Sequence, residues 1–238
     1  MVCYSEQCKE VLFMNPKENV LCVLRDKLDL DKLTHNYEVI DIKKEPDKVI
    51  LPELGMNVVD DDRFVDVTRG EAENNKKYIQ LVVGLILRCN NRYVFMQCKD
   101  GMMQGHTTLI QGHVERSKGN TFGLTSFLRS EMVRELYEEI SMWNILPKFT
   151  DAIDIAHFQL RLKYVAYNNF NSSIPSYYHY GFIYDLDLNE DYEKYFNDTW
   201  LVSNEPEKNN VIFVDKDKLK YLKNPDGWTK ELILMNNI

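Results

Sequence analysis

Long apolar runs are missing from this 238-residue chain. No stretch approaches the roughly 20 consecutive apolar residues of a membrane-spanning helix, and the opening MVCYSEQCKE has no apolar signal core. An excess of positive charge is missing too. With 29 Lys and Arg against 37 Asp and Glu, the formal net charge is −8. That argues against sequence-independent binding to a nucleic acid backbone, which wants a basic surface. Cysteine is sparse and unpatterned. Cys3, Cys8, Cys22, Cys89 and Cys98 are odd in number and include no CxxC pair, so neither a disulfide framework nor a structural zinc site is indicated. No internal repeat or low-complexity tract occurs. These absences predict a cytoplasmic protein with reduced thiols and no membrane partner. The acidic balance leaves phosphorylated ligands open, because a bound metal ion can supply positive charge locally.

Hydrophobic residues make up 44% of the chain, enough for a sizeable core. Two parts are expected: residues 1–76 as an N-terminal extension or small β-rich lobe, and residues 77–238 as the main domain. In the first part VLFM, VLCVL, EVIDIKK and VILPEL look like short strands, and Asp29 to Leu33 could start a short helix. No site chemistry is visible there. DDDRFVDVTRGEAENNKK reads as a polar linker or exposed helix. From Tyr78 the pattern sharpens. YIQLVVGLILR is a β-branched, apolar run, as expected of a strand buried on both faces. CNNR makes a turn, with Asn90 and Asn91 able to take left-handed conformations. YVFMQC returns as a strand, KDGMMQGH is a loop, and TTLIQG is a third strand. Gly112 to Thr121 is a polar loop. IDIAHFQLRLKYVAY, YYHYGFIYDLDL and NVIFVD are later strands, and DKDKLKYLKN and GWTKELILMNNI are terminal helices. Strands, helix, strands, helices: the order predicts a mixed sheet with helices packed on it.

The clearest helix is GLTSFLRSEMVRELYEEISM. Leu124, Phe127, Leu128, Met132, Leu136 and Ile140 recur at three- and four-residue steps, and Thr121 or Thr125 could cap its start. Its polar side gathers carboxylates. Glu135 and Glu139 are one turn apart, Glu138 lies close to both, and Glu131 sits a turn before Glu135. Like charges at this spacing repel by a few tenths of a kcal/mol per pair, by rough reckoning. The commonest explanation of glutamates on a helix is a solvated face. Here a glycine and an acidic loop, GHVE, precede the helix, and Arg134 stands beside the glutamates. A cation between the carboxylates would relieve the repulsion, and hard divalent ions such as Mg²⁺ favour such oxygen ligands.

These residues resemble the Nudix box of the Nudix hydrolases, which runs glycine, five residues, glutamate, seven residues, then Arg-Glu-apolar-x-Glu-Glu-x-Gly-apolar. The chain reads Gly112-His113-Val114-Glu115 and later Arg134-Glu135-Leu136-Tyr137-Glu138-Glu139-Ile140-Ser141-Met142. It departs from the pattern three times. The interval from Gly112 to Arg134 is eight residues longer. The first glutamate falls on Lys118 counted forward or on Ser126 counted back. Ser141 stands where the second glycine would be. The resemblance implies an α+β fold, a Nudix-like α/β/α sandwich around a mixed β-sheet, of a phosphoesterase-like type with an extended box and an N-terminal extension. It implies hydrolysis of a phosphate anhydride in a nucleoside diphosphate linked to another group, with Mg²⁺ or Mn²⁺. Glu135 and Glu139 would be the main ligands, Glu138 a further ligand or water activator, the Gly112 carbonyl another ligand, and Arg134 a positioning group. The base may lie outside the box, and Glu205 or Glu207 in SNEPEKNN are candidates beside the blander reading of a solvated loop.

Other residues carry weaker signals. His106 and His113 suit loop or substrate contact, and His157 and His179 suit structural roles more readily than acid–base work. Tyr177, Tyr178, Tyr180 and Phe158 could stack on a base but more often pack. Arg88, Lys99 and Arg161 fit phosphate contact and surface solubility equally well. The expected partner is a nucleotide-derived small molecule. A capped RNA end and a homodimer stay open. The alternative function is a Nudix-fold ligand-binding or regulatory protein without catalysis.

Overall fold

The computed structural model describes residues 18–32, 37–51, 61–101, 103–115, 123–141, 160–168, 178–188 and 190–235. Its frame is one large mixed sheet. Six strands run in the order β12 (Asn209–Asp215), β5 (Arg92–Cys98), β4 (Tyr78–Cys89), β10 (His179–Leu188), β9 (Arg161–Asn168) and β2 (Tyr37–Asp41). Only β10 and β4 pair in parallel among these neighbours. β4 is the axis. Its 12 residues are buried from Ile79 through Leu87, as its uninterrupted β-branched run requires. Along one edge of β4 lie, end to end, β1 (Asn19–Leu24), β7 (Ile110–His113) and the start of β5. β6 (Thr107–Thr108) pairs with β5. Asn90, at φ 54°, makes the β4–β5 turn in the left-handed region that asparagine tolerates.

Residues 61–76 include the expected surface helix, but they are not a linker. They contain β3 (Phe64–Thr68), which pairs with β1, and the short helix α1 (Arg69–Asn74). Phe64 and Ala72 are buried there, so a few apolar anchors outweigh a polar composition. Val49–Leu51 is buried but not strand, and DKDKLKYLKN forms a 3-10 helix over Lys216–Tyr221. The VLFM segment, His157, Phe158 and Tyr177 lie outside the described residues.

Alternation along the strands divides the core into two layers. On one face Leu21, Leu81, Val83, Leu85 and Ile110 pack against Leu124, Phe127, Leu128, Met132 and Leu136 of helix α2 (Leu124–Glu139). On the other, Val82, Ile86, Phe95, Tyr164, Ala166 and Ile183 meet Trp228 and Leu232 of helix α3 (Gly227–Leu234). Trp228 lies on Gly181, where an added Cβ would come within 2.6 Å of its ring. The architecture is α+β, with α2 against one face of a mixed sheet and α3 against the other. Among the described residues no helix is long and apolar enough to cross a membrane.

Candidate active site

The site forms where β7 ends and α2 passes beneath it. Gly112 pairs with Val83 and therefore faces α2. It has no side chain, and the Glu135 carboxylate occupies that space: a Cβ on residue 112 would sit 1.9 Å from Glu135 Oε2. No larger residue fits without expelling the carboxylate. Helical spacing then sets Glu139 one turn further along α2.

Arg134 is the hub. Its Nη2 donates to Glu135 Oε1 at 2.7 Å and to the His113 carbonyl at 2.8 Å, and its Nη1 donates to Glu138 Oε2 at 2.7 Å. Glu131 accepts from Nε and Nη2 at 3.1 and 3.0 Å, and the Glu115 carboxylate lies 3.5 Å away. Burial alone would lower the guanidinium pKa. Glu135 and Glu131 override it and hold it above the ordinary range.

The glutamates behave differently from one another. Burial pushes the Glu135 carboxyl up to about 8, against Arg134, with help from Glu138 and Glu139. Burial likewise raises Glu139 to about 7, aided by the negative charge of Glu205 and opposed by a hydrogen bond from Asn209. Glu138, 58% exposed at its side chain, turns to Arg134. Among the described residues no three His, Cys, Asp or Glu side chains gather closely enough to cage an ion alone. What exists is a sheltered pair of carboxylates one turn apart, Glu135 held by Arg134 and Glu139 by Asn209.

The loop 203–209 closes the far end. The Asn204 amide group donates to the Tyr137 carbonyl at 2.6 Å, and its backbone N–H donates to the Glu139 carbonyl at 3.1 Å. Asn209 Nδ2 reaches Glu139 Oε2 at 3.3 Å. Glu205 accepts from Lys208 Nζ at 2.8 Å, and Glu207 is exposed. The structure thus brings Glu205 into the electrostatic reach of Glu139. Asn204, Asn209 and Lys208 were invisible in the sequence, because nothing local distinguishes a clamp from a polar loop.

Thr121 lies outside the described residues, and among those residues no side chain caps the start of α2. Gly123 is its N-cap, and Thr125 lies inside the helix. The helix also ends differently from the family pattern. Its C-cap Ile140 is extended (φ −122°), and the chain leaves as strand β8 (Ile140–Ser141), paired with β11 (Val202–Ser203). No left-handed residue is needed, which is why Ser141 can stand in place of glycine. Of the two positions for the first box glutamate, Ser126 is exposed on the first turn of α2, and Lys118 lies outside the described residues.

Two flagged histidines meet. His113 of β7 and His179 of β10 lie 3.3 Å apart, Nε2 to Nε2, on the face opposite α2. Burial, with Arg69 nearby, lowers both, His179 to about 4. Tyr178 and Tyr180 are core residues, and Arg88 pairs with Asp185 and Asp187. Lys99 binds the Pro206 carbonyl, Arg161 is exposed, and His106 is half-buried.

No protein-family model matches the chain, and no curated protein matches its sequence. Solved structures do match. Tm1382, a candidate Nudix hydrolase, superposes with a TM-score of 0.57 at 13% identity, covering 93% of this chain and 100% of its own. The bifunctional NMN adenylyltransferase/ADP ribose pyrophosphatase of Francisella tularensis, complexed with AMP and a Mn ion, aligns at 12% identity and TM-score 0.43, covering 67% of this chain and 42% of its own. A Nudix hydrolase from Nitrosomonas europaea aligns at 15% identity and TM-score 0.38, covering 65% and 68%. The near-complete mutual coverage with Tm1382 and the mixed sheet between two helical layers show that this chain has the Nudix hydrolase fold.

Proposed function

We propose that the chain hydrolyses a phosphate anhydride in a nucleoside diphosphate linked to another group, using Mg²⁺ or Mn²⁺. One observation carries the reading: the Glu135 carboxylate is seated on Gly112 with Glu139 one turn away, both buried enough to be raised to about 8 and about 7. Carboxylates sheltered in this way are unfavourable when ionised, unless a cation joins them. The donors are all hard oxygens: Glu135, Glu139, the Gly112 carbonyl, and Glu138 once it turns from Arg134. That set suits Mg²⁺ or Mn²⁺. When bound, the ion would supply neutralisation of phosphate charge and a lowered pKa for water.

The chain's own residues do the rest. Arg134 holds Glu135 against the strand. Asn209 aims Glu139. Glu205, across from Glu139 and paired with Lys208, accepts the proton of the attacking water. The leaving group is itself a phosphate, so positioning and charge stabilisation are the main tasks.

The test is a substrate panel with Mg²⁺ or Mn²⁺: dinucleotide polyphosphates, nucleotide sugars, ADP-ribose, nucleoside triphosphates and capped RNA. Phosphate or nucleotide release from one class is expected. Binding without release from any of them would overturn the hydrolase. Glu139→Gln is expected to lower kcat at least ~100-fold with unchanged circular dichroism. Undiminished turnover would remove Glu139 from its role. Sedimentation of the same sample tells a monomer from a homodimer.

A further inference from the structure

Arg134 serves several carboxylates at once, and one of them, Glu131, also holds the loop backbone. We propose that Glu131 is a positioning residue that steadies Arg134 and the strand end on which Glu135 is seated; the proposal rests on the hydrolase reading above. Glu131 is only 4% exposed, and a carboxylate that deep is stable only when paired. Three donors converge on its Oε2: the Glu115 backbone N–H at 2.9 Å and Arg134 Nε and Nη2 at 3.1 and 3.0 Å.

The arrangement ties helix to strand at two points. Arg134 Nη2 holds the His113 carbonyl, and Glu131 holds the Glu115 N–H two residues on. Between them they fix the backbone that leaves Gly112, on which Glu135 is seated. Glu131 and Arg134 are three residues apart on α2, so one helical turn grips the strand end from both sides. Glu131 also draws the guanidinium toward the loop. Glu131 touches no reacting atom and acts through Arg134 and the backbone.

The test is a double-mutant cycle read with Mn²⁺ alone, by the electron paramagnetic resonance signal of free Mn²⁺, and by amide exchange at Glu115. Glu131→Ala is expected to weaken Mn²⁺ binding about 10- to 100-fold, the usual cost of losing such a support. Glu131→Gln keeps an acceptor for the Glu115 N–H and is expected to recover part of the loss. In an Arg134→Ala background, Glu131→Ala is expected to cost at least about threefold less than in the wild type, because only its hold on the Glu115 N–H is left to lose. Equal losses in both backgrounds would overturn the proposal, as would wild-type affinity in Glu131→Ala. If that variant does not fold, the cycle is run with Glu131→Gln and the same criteria. In metal-free protein, Glu115 exchange is expected to quicken about tenfold or more in Glu131→Ala; unchanged exchange overturns the contact itself. A wild-type chain that binds no Mn²⁺ while Glu115 exchange responds as expected would refute the hydrolase reading and leave the grip of Glu131 on the loop standing.

Discussion

At the scale of single residues, the seat of the Glu135 carboxylate depends on space left empty at one position. Gly112 is required by volume, not by dihedral freedom: its missing Cβ is where the Glu135 carboxylate sits. Gly112→Ala is therefore expected to weaken Mn²⁺ binding about 10- to 100-fold while the chain still folds, measured by metal titration beside circular dichroism. The raised carboxyls make a second expectation. Glu135 in the folded state titrates near 8, well above the ordinary value of 4.5 that it has when unfolded. Its stabilising contribution is complete below pH 4.5 and lost as pH rises toward 8. Glu135→Gln keeps the uncharged form at every pH. In metal-free buffer the variant is expected to match wild type near pH 5 and to melt at a higher temperature at pH 8, with Mn²⁺ narrowing that difference. His113 and His179 act in the opposite sense: their contribution is present above pH 6.5 and is lost as pH falls, for His179 through about 4. It is common to both proteins and cancels in the comparison. Equal melting temperatures at pH 8 would show that Glu135 is not desolvated.

At the scale of elements, α2 is legible from its apolar spacing, and Arg134, Glu135, Glu138 and Glu139 from their order. What the helix end would do was not. The pattern lacks its second glycine at Ser141, and the reason lies in a distant segment of the sequence, where β11 pairs with β8 and Asn204 takes the carbonyls of Tyr137 and Glu139. Asn204→Ala leaves the Tyr137 carbonyl without its side-chain donor and is expected to cost about 1 kcal/mol in urea unfolding. No measurable change would mean that water serves that carbonyl equally well. The segment 61–76 failed as a linker for a related reason. Its polar composition is real, but Phe64 and Ala72 have neighbours in β1 and β4 to pack on, and a strand needs only one buried face.

At the scale of the whole molecule, two layers of opposite face support one another through β4. α2 carries the site on one side, and α3 closes the other by laying Trp228 on Gly181. Gly181→Ala drives a methyl to within 2.6 Å of that ring. It is expected to cost about 1–3 kcal/mol, as overpacking of a filled core does, measured by chemical denaturation, with little effect on Mn²⁺ affinity because the α2 face is untouched. Loss of metal binding in step with stability would mean that the two faces do not act separately.

The sequence by itself determined the strand β4, the helix α2 and the carboxylate order on it, because those follow from periodicity and spacing within one element, and local sterics decide them. Tertiary structure alone decided which carboxylates are sheltered, that Glu131 and Glu115 share the Arg134 hub, that Asn204 and Asn209 clamp the helix end, and that His113 meets His179. Each of those is a pairing between distant segments, and pairings are fixed by the common sheet that brings the segments together.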